Sequence, residues 1–135
     1  MRLKDKGDIV VEKIIIDCDN TFSVDGCDID DGLAIIYALA QENTEVLGIN
    51  TTFGNNKLDV VYPNTVSFMK DIGHPGIPVY RGSENSYKDN EAAKFLVEMA
   101  DKHNGELSIL ATGSLTNLYH AWQTDNNFYE KIKNI

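Results

Sequence analysis

The sequence has little that would suit a disulfide, a zinc site or a membrane span. It contains only two cysteines, Cys18 and Cys27, with no C-x-x-C pair, which predicts reduced thiols. Its longest apolar runs, such as residues 33–40, fall far short of the roughly 20 residues that a membrane-spanning helix needs. Residues 1–8 lack the apolar core of a signal peptide. We therefore expect a cytoplasmic protein with no membrane partner.

Positive charge is also scarce. The 135 residues include 12 Lys and Arg against 21 Asp and Glu, a formal net charge of -9, which repels nucleic acid phosphates and anionic membranes. We expect the partner to be a metal cation or an uncharged small molecule, with no nucleic acid. The length and the 42% hydrophobic content predict a single domain over residues 1–135.

Strand and helix patterns alternate along the chain. Residues 13–18 (KIIIDC) form a short, β-branched apolar run, typical of a strand buried on both faces of a parallel sheet. We predict further strands at 45–50, 77–80 and 107–111, and helices at 31–42, 56–72, 91–103, 115–123 and 127–133. This alternation predicts a Rossmann-like α/β fold with a mainly parallel sheet flanked by helices. The last letters, EKIKNI, have the start of a further strand pattern, which predicts a fold that is C-terminally incomplete.

Polar residues gather where the predicted strands end, which is where ligands bind in open parallel sheets. The set after the first strand, DCDNTFSVDGCDIDD, holds six aspartates, namely Asp17, Asp19, Asp25, Asp28, Asp30 and Asp31. So many carboxylates would repel one another unless a cation neutralised them, and oxygen ligands favour calcium or magnesium over zinc. Their spacing does not match an EF-hand. The alternative is that some of them, such as Asp28 or Asp30, only cap the next helix.

Four segments together resemble a known family. IIIDCDNTFSVDGCDIDDGLAIIYAL is similar to the nucleoside hydrolase signature, in which a strand ends in Asp-x-Asp and a pair of aspartates opens the next helix. TTFGNN resembles the family's second-strand segment, IPVYRGS a segment after its third strand, and ATGSLTNL its Gly-x-Leu-Thr-Asn turn. The four stand in the family's order over nearly the whole chain. The chain thus resembles the N-terminal part of a calcium-dependent, inosine-uridine preferring nucleoside hydrolase, which implies cleavage of the N-glycosidic bond of purine and pyrimidine ribonucleosides.

The resemblance also implies a metal centre. Asp19 is expected to bind calcium and to take the proton from a calcium-bound water, with Asp31 and the backbone carbonyl of Thr112 as further ligands. Asp17 is expected to support the metal site from the strand end. Calcium would lower the pKa of the water and place it against the anomeric carbon, through an oxocarbenium-like transition state.

Substrate contacts and two departures from the family follow from the same comparison. Asp30 is expected to hold ribose hydroxyls and Asn55 to line the ribose pocket. Residues 20–29 (NTFSVDGCDI) replace a short Pro-Gly turn, which predicts a reshaped loop and an altered substrate preference. The family's remaining metal-binding Asp and a His near the leaving base fall outside these 135 residues. An unfinished sheet edge favours a homo-oligomer.

Two other interpretations remain open at this stage. IIIDCDNT also resembles the Asp-x-Asp-x-Thr of haloacid dehalogenase-type phosphatases, in which Asp17 would be the nucleophile and Asp19 the general acid and base, with magnesium. The segments GCDIDDGLA and ATGSLTN speak against it. The second is a non-catalytic fragment, which predicts weak or absent turnover by these residues alone.

Overall fold

The computed structural model describes residues 9–135, so the segment predicted to lack a signal peptide lies outside the described residues. Strands and helices alternate as predicted from the sequence. The elements in chain order are β1 (Glu12–Cys18), α1 (Asp30–Leu39), β2 (Thr44–Thr51), α2 (Leu58–Asp71), β3 (Val79–Arg81), α3 (Glu91–Lys102), β4 (Leu107–Ala111), α4 (Thr116–Thr124), a 3₁₀ turn (Phe128–Lys131) and β5 (Ile132–Asn134).

The strands form one parallel sheet in the order β3-β2-β1-β4-β5. Strand β1 is therefore central, with β2 and β3 on one side of it and β4 and β5 on the other. At the carboxyl end of the sheet, Asp17 pairs with Asn50 of β2 and with Ala111 of β4. The predicted α/β fold is confirmed, and its topology brings the polar segments after β1, β2 and β4 to one edge.

Helices cover the central strand on both faces. Ile15 packs with α3 and α4 on one face, in a cluster that also holds Leu107 and Phe128. Ile16 points the opposite way and packs with α1 and α2, because successive side chains of a strand alternate between faces. Each fully buried isoleucine contributes about 1.5–3 kcal/mol. The unbroken apolar run of β1 is thus explained by burial on both sides.

Coverage is incomplete over β4. This strand lies between β1 and β5, and its Ile109 is buried against α3 and α4. Leu110 points to the other face, where α1 and α2 cover the opposite half of the sheet, and it remains 41% exposed. Within residues 9–135, no helix is long and apolar enough to span a bilayer.

The helix predicted at residues 127–133 is wrong. Phe128 is fully buried and anchors a single 3₁₀ turn, and Ile132 then pairs with Leu107 as the first residue of β5. Lys131 donates hydrogen bonds of 2.6 Å to Asp101 and to Asp125. The sheet therefore gains a fifth strand inside EKIKNI, the segment that showed the start of a strand pattern, because pairing with β4 prevails over a weak helical period.

Candidate active site

Two buried carboxylates meet at the carboxyl end of β1. Asp19 follows the strand directly and Asp31 lies in the first turn of α1, and their exposed fractions are 7% and 4%. The backbone N–H of Asp19 donates a hydrogen bond of 3.0 Å to Oδ2 of Asp31. No side chain caps α1, whose N-cap residue is Ile29. The capping alternative for Asp28 and Asp30 is therefore wrong.

Asp31 ionises less readily than a free carboxyl group. Burial and the neighbouring Asp19 side chain raise the pKa of Asp31 to about 6, against the lowering effect of the Thr112 side chain. The contributions of Asp19 and Thr112 place both residues beside Asp31. The three residues predicted to bind the metal, from the ends of β1 and β4 and the start of α1, are thus neighbours.

The loop after β2 closes on Asp19. The backbone N–H of Asn55 donates a hydrogen bond of 2.7 Å to Oδ2 of Asp19. Gly54 has a φ of +156°, and a Cβ atom there would collide with the same oxygen. Only glycine lets the loop approach so closely, which explains the Gly-Asn pair of TTFGNN and brings Asn55, a predicted ribose contact, next to Asp19.

The end of β4 approaches Asp19 from the other side. The N–H of Thr112 donates to the carbonyl of Asp17 at 2.9 Å. A Cβ on Gly113 would lie 3.1 Å from the backbone nitrogen of Asp19 and 2.6 Å from Cγ2 of Thr52. The side chains of Thr52 and Ser114 also share a hydrogen bond. The polar segments after β1, β2 and β4 thus form one cluster.

Asp30 stands apart from this buried group. It is the first residue of α1 and is exposed, next in sequence to Asp31. The structure thus brings five of the six predicted site residues into contact, and places Asp30 on the solvent side of the same helix start. An exposed carboxylate at this position is accessible to a ligand that reaches the site from outside.

The longer loop, residues 20–29, is folded by its own contacts. Oδ1 of Asn20 accepts from the N–H of Phe22 at 3.0 Å, and the Thr21 hydroxyl donates to the carbonyl of Asp28 at 2.8 Å. The ring of Phe22 packs on Phe68 at 5.1 Å and occupies the space that a side chain at Gly32 would need. The loop is therefore anchored to α1 and α2 through one aromatic side chain.

Asp17, which is predicted to support the metal site, is buried behind this group. Burial raises its pKa to about 6, against the lowering effect of the Asn117 and Asn50 side chains. Nδ2 of Asn117 donates to Oδ2 of Asp17 at 3.0 Å and to the carbonyl of Thr51 at 3.1 Å. The sequence interpretation gave Asn117 no role, although it is the Asn of the Leu-Thr-Asn turn and was visible in that motif.

The available donors fit calcium in type and supply part of its shell. Asp19 and Asp31 are carboxylates and Thr112 offers a backbone carbonyl, all of them oxygen ligands as calcium prefers. Over residues 9–135, no three His, Cys, Asp or Glu side chains gather as a metal-binding group. Because calcium takes about 6 to 8 oxygens, the described residues supply fewer ligands than a full shell.

Comparison with known proteins agrees with this arrangement. A profile of the inosine-uridine preferring nucleoside hydrolases matches residues 14–135. The chain belongs to this family. Among its relatives, uridine nucleosidase 1 of Arabidopsis thaliana is 31% identical over 92% of this chain and 44% of its own length. The inosine-uridine preferring nucleoside hydrolase of Crithidia fasciculata is 22% identical over 92% of this chain and 47% of its own.

Solved nucleoside hydrolase structures share the fold. A plant nucleoside hydrolase superimposes with a TM-score of 0.79 at 26% identity, over 90% of this chain and 46% of that enzyme. A purine-preferring ribonucleoside hydrolase from Gardnerella vaginalis gives 0.77 at 23% identity. This member of the family thus spans about half the length of each of these relatives. Membership confirms the resemblance and decides against the haloacid dehalogenase interpretation of IIIDCDNT.

Proposed function

We propose that this chain is the N-terminal part of a ribonucleoside hydrolase that cleaves the N-glycosidic bond of purine and pyrimidine nucleosides to ribose and free base, with calcium. One observation carries the proposal. The buried Asp19 and Asp31 carboxylates meet beside Thr112 and the Asn55 loop at the carboxyl end of a parallel sheet. This is where α/β folds bind their ligands.

Asp19, Asp31 and the carbonyl of Thr112 would hold the calcium ion. When bound, calcium supplies a Lewis acid that makes the attacking water more acidic. Asp19 has one oxygen engaged by the N–H of Asn55, and its carboxylate would accept a proton from the attacking water as general base. Asp17 supports Asp19 from the strand end, through its bonds to Asn117 and Thr112.

Asp30 and Asn55 would bind the ribose. Both residues are exposed and flank the buried pair, so a sugar can contact them while its anomeric carbon faces Asp19. The oxocarbenium-like transition state carries positive charge on the sugar. A cluster of carboxylates stabilises such a charge more than it stabilises the neutral ground state.

The wider properties of the protein are proposals of the same kind. We propose one α/β domain over residues 1–135, a cytoplasmic location, and no nucleic acid or membrane partner, on the strength of the composition and charge. We also propose self-association. The half-covered strand β4, with Leu110 41% exposed, supports it, because interior strands of parallel sheets are normally buried on both faces.

The deciding experiment is a paired assay on the purified chain. Ribose release from inosine and uridine is measured with calcium, and phosphate release from a phosphomonoester with magnesium, for the wild type, Asp19→Ala and Asp25→Ala. Asp25 is an exposed acid of the same segment and serves as the matched control. We expect slow or absent ribose release, because these 135 residues span about half the length of the named relatives. Any release should be lost in Asp19→Ala and kept in Asp25→Ala, and phosphate release would contradict the proposal.

Calcium binding provides a second arm that does not need turnover. Calcium should raise the thermal midpoint of the wild type and of Asp25→Ala, since a ligand that binds only the folded state stabilises it. The midpoint of Asp19→Ala should not respond. Equal responses of all three proteins would place calcium elsewhere and contradict the assigned ligands.

A further inference from the structure

A chain of buried amides runs behind the candidate site and has no role in the function proposed so far. Asn90 and Asn117 are both fully buried. Nδ2 of Asn90 lies 2.9 Å from Oδ1 of Asn117 and 2.9 Å from Nδ1 of His120. Asn117 in turn donates to Asp17 and to the Thr51 carbonyl. The chain therefore links α3 and α4 to the ends of β1 and β2.

The direction of every bond in this chain follows from one backbone group. Oδ1 of Asn90 accepts the N–H of Ala93 at 2.8 Å and thereby caps α3. Since a backbone N–H can only donate, the Nδ2 group of Asn90 must face Asn117 and His120. Oδ1 of Asn117 then accepts a hydrogen bond. The two N–H groups on Nδ2 of Asn117 donate, one to Asp17 and one to the Thr51 carbonyl. His120 accepts at Nδ1, so its proton lies on Nε2.

Asn117 thereby joins the two strand ends that lead into the site. Asp17 lies two residues before Asp19, and Thr51 lies four residues before Asn55. One amide nitrogen holds Oδ2 of Asp17 and the carbonyl of Thr51 at 3.0 and 3.1 Å. Gly82 leaves room for this amide, because a Cβ there would collide with Oδ1 of Asn117. The Asn117 side chain therefore packs directly beside the backbone that follows β3.

We propose that Asn117, held in one orientation by the helix cap Asn90, is a positioning residue that sets the separation of Asp19 and Asn55. The relevance of that separation to catalysis rests on the function proposed above, whereas the positioning itself is a property of this chain. Two backbone amides report on it directly. The N–H of Asp19 is bonded to Asp31, and the N–H of Asn55 is bonded to Asp19.

The test is amide hydrogen exchange on the full chain, without added metal, for the wild type, Asn117→Asp and Thr65→Val. Asn117→Asp keeps the shape but replaces both donors with an oxygen that repels Asp17 and the Thr51 carbonyl. Thr65 is an equally buried polar residue whose hydroxyl bonds within α2, so Thr65→Val controls for a general loss of stability. We expect the Asp19 and Asn55 amides of Asn117→Asp to exchange about tenfold faster relative to the α2 amides. Acceleration spread evenly over the core, as in Thr65→Val, would overturn the proposal.

Two further variants keep the proposal falsifiable if Asn117→Asp folds poorly. Asn90→Ser preserves a cap for α3 but removes the donor to Asn117, and should produce the same local change with a smaller amplitude. The double variant Asp17→Asn/Asn117→Asp restores a donor and acceptor pair with the roles exchanged, and should recover part of the protection. Absence of both effects would contradict the positioning role.

Calcium titration separates this proposal from the function on which it builds. If the wild type binds calcium, Asn117→Asp should weaken binding by about tenfold while Thr65→Val should not. If Asn117→Asp selectively loses protection at Asp19 and Asn55 while the wild-type chain binds no calcium, the positioning role is supported and the proposed metal is contradicted. Unchanged calcium affinity in Asn117→Asp would overturn the link between Asn117 and the site.

Discussion

The backbone N–H of Asn55 donates a 2.7 Å hydrogen bond to Oδ2 of Asp19, so the loops after β1 and β2 are joined at the acidic centre of the site. This bond depends on Gly54, whose Cα faces the same carboxylate oxygen. The position of the proposed general base is therefore set by a neighbouring strand as well as by its own. Substitutions in the β2 loop should act on Asp19 without touching it directly.

A methyl group at Gly54 should disturb the site more than the fold. Gly54→Ala places a Cβ against Oδ2 of Asp19 and must strain a backbone with φ +156°, at a cost of about 1–3 kcal/mol. Gly76→Ala is the matched control, since nothing lies within 4 Å of its added Cβ. Isothermal titration should find calcium binding weakened by about tenfold or more in Gly54→Ala and unchanged in Gly76→Ala. Equal calcium affinities of Gly54→Ala and Gly76→Ala would contradict the close approach of Gly54 to Oδ2 of Asp19.

Removing one charge from the acidic pair should stabilise the metal-free protein. Burial and the Asp19 side chain raise the pKa of Asp31 to about 6, above its unfolded value, so stability falls as pH rises from about 4 to 6 and Asp31 ionises. In the presence of a chelator at pH 7, Asp31→Asn should raise the free energy of unfolding by on the order of 1–2 kcal/mol. It should also lose the calcium-induced rise of the thermal midpoint. A lower free energy of unfolding for Asp31→Asn than for the wild type, in the presence of a chelator, would contradict repulsion between Asp19 and Asp31.

The sequence predicted most of the sheet because its strands are short apolar runs followed by polar segments. The ends of β1, β2 and β4 lay where KIIIDC, EVLGIN and LSILA end, and the topology of a parallel sheet then brings the polar segments together. The roles expected of Asp19, Asp31, Asn55 and Thr112 came from the resemblance of these segments to the nucleoside hydrolases. The helix predicted at 127–133 was wrong, because its periodicity was too short to compete with strand pairing to Leu107.

The buried amide chain could not be predicted in the same way. Asn90 is far in sequence from Asn117 and His120, which lie one turn apart on α4, and asparagine side chains are more often exposed than buried. Their contact depends on how α3 and α4 pack over the sheet, which no local pattern encodes. Asn90, directly before the α3 pattern, had a visible signal as a helix cap, but its second role appears only in three dimensions.

The buried His120 should make the fold sensitive to acid. Burial lowers its pKa below 6.5, and Nδ1 faces the Nδ2 group of Asn90, which only donates. The folded state therefore favours the neutral ring, and its contribution to stability is present above pH 6.5 and is lost as pH falls towards the lower folded pKa. His120→Asn keeps an acceptor oxygen but cannot titrate. The thermal midpoints of the wild type and of His120→Asn should diverge below pH 6.5. Midpoints that change in parallel with pH would contradict a neutral His120 ring in the folded state.

The uncovered face of β4 should govern self-association. Leu110 is 41% exposed on an interior strand, so a charged side chain there costs the fold little but opposes packing of a second copy. We expect the wild type to elute as a dimer or larger species in size-exclusion chromatography with light scattering, and Leu110→Lys as a monomer.

Val66→Lys is the control for this prediction. Val66 is similarly exposed, at 42%, and lies on α2. This helix packs beside β3 at the opposite edge of the sheet. Association that survives Leu110→Lys but is lost in Val66→Lys would move the interface to the β3 edge, and a monomeric wild type would contradict self-association through this face.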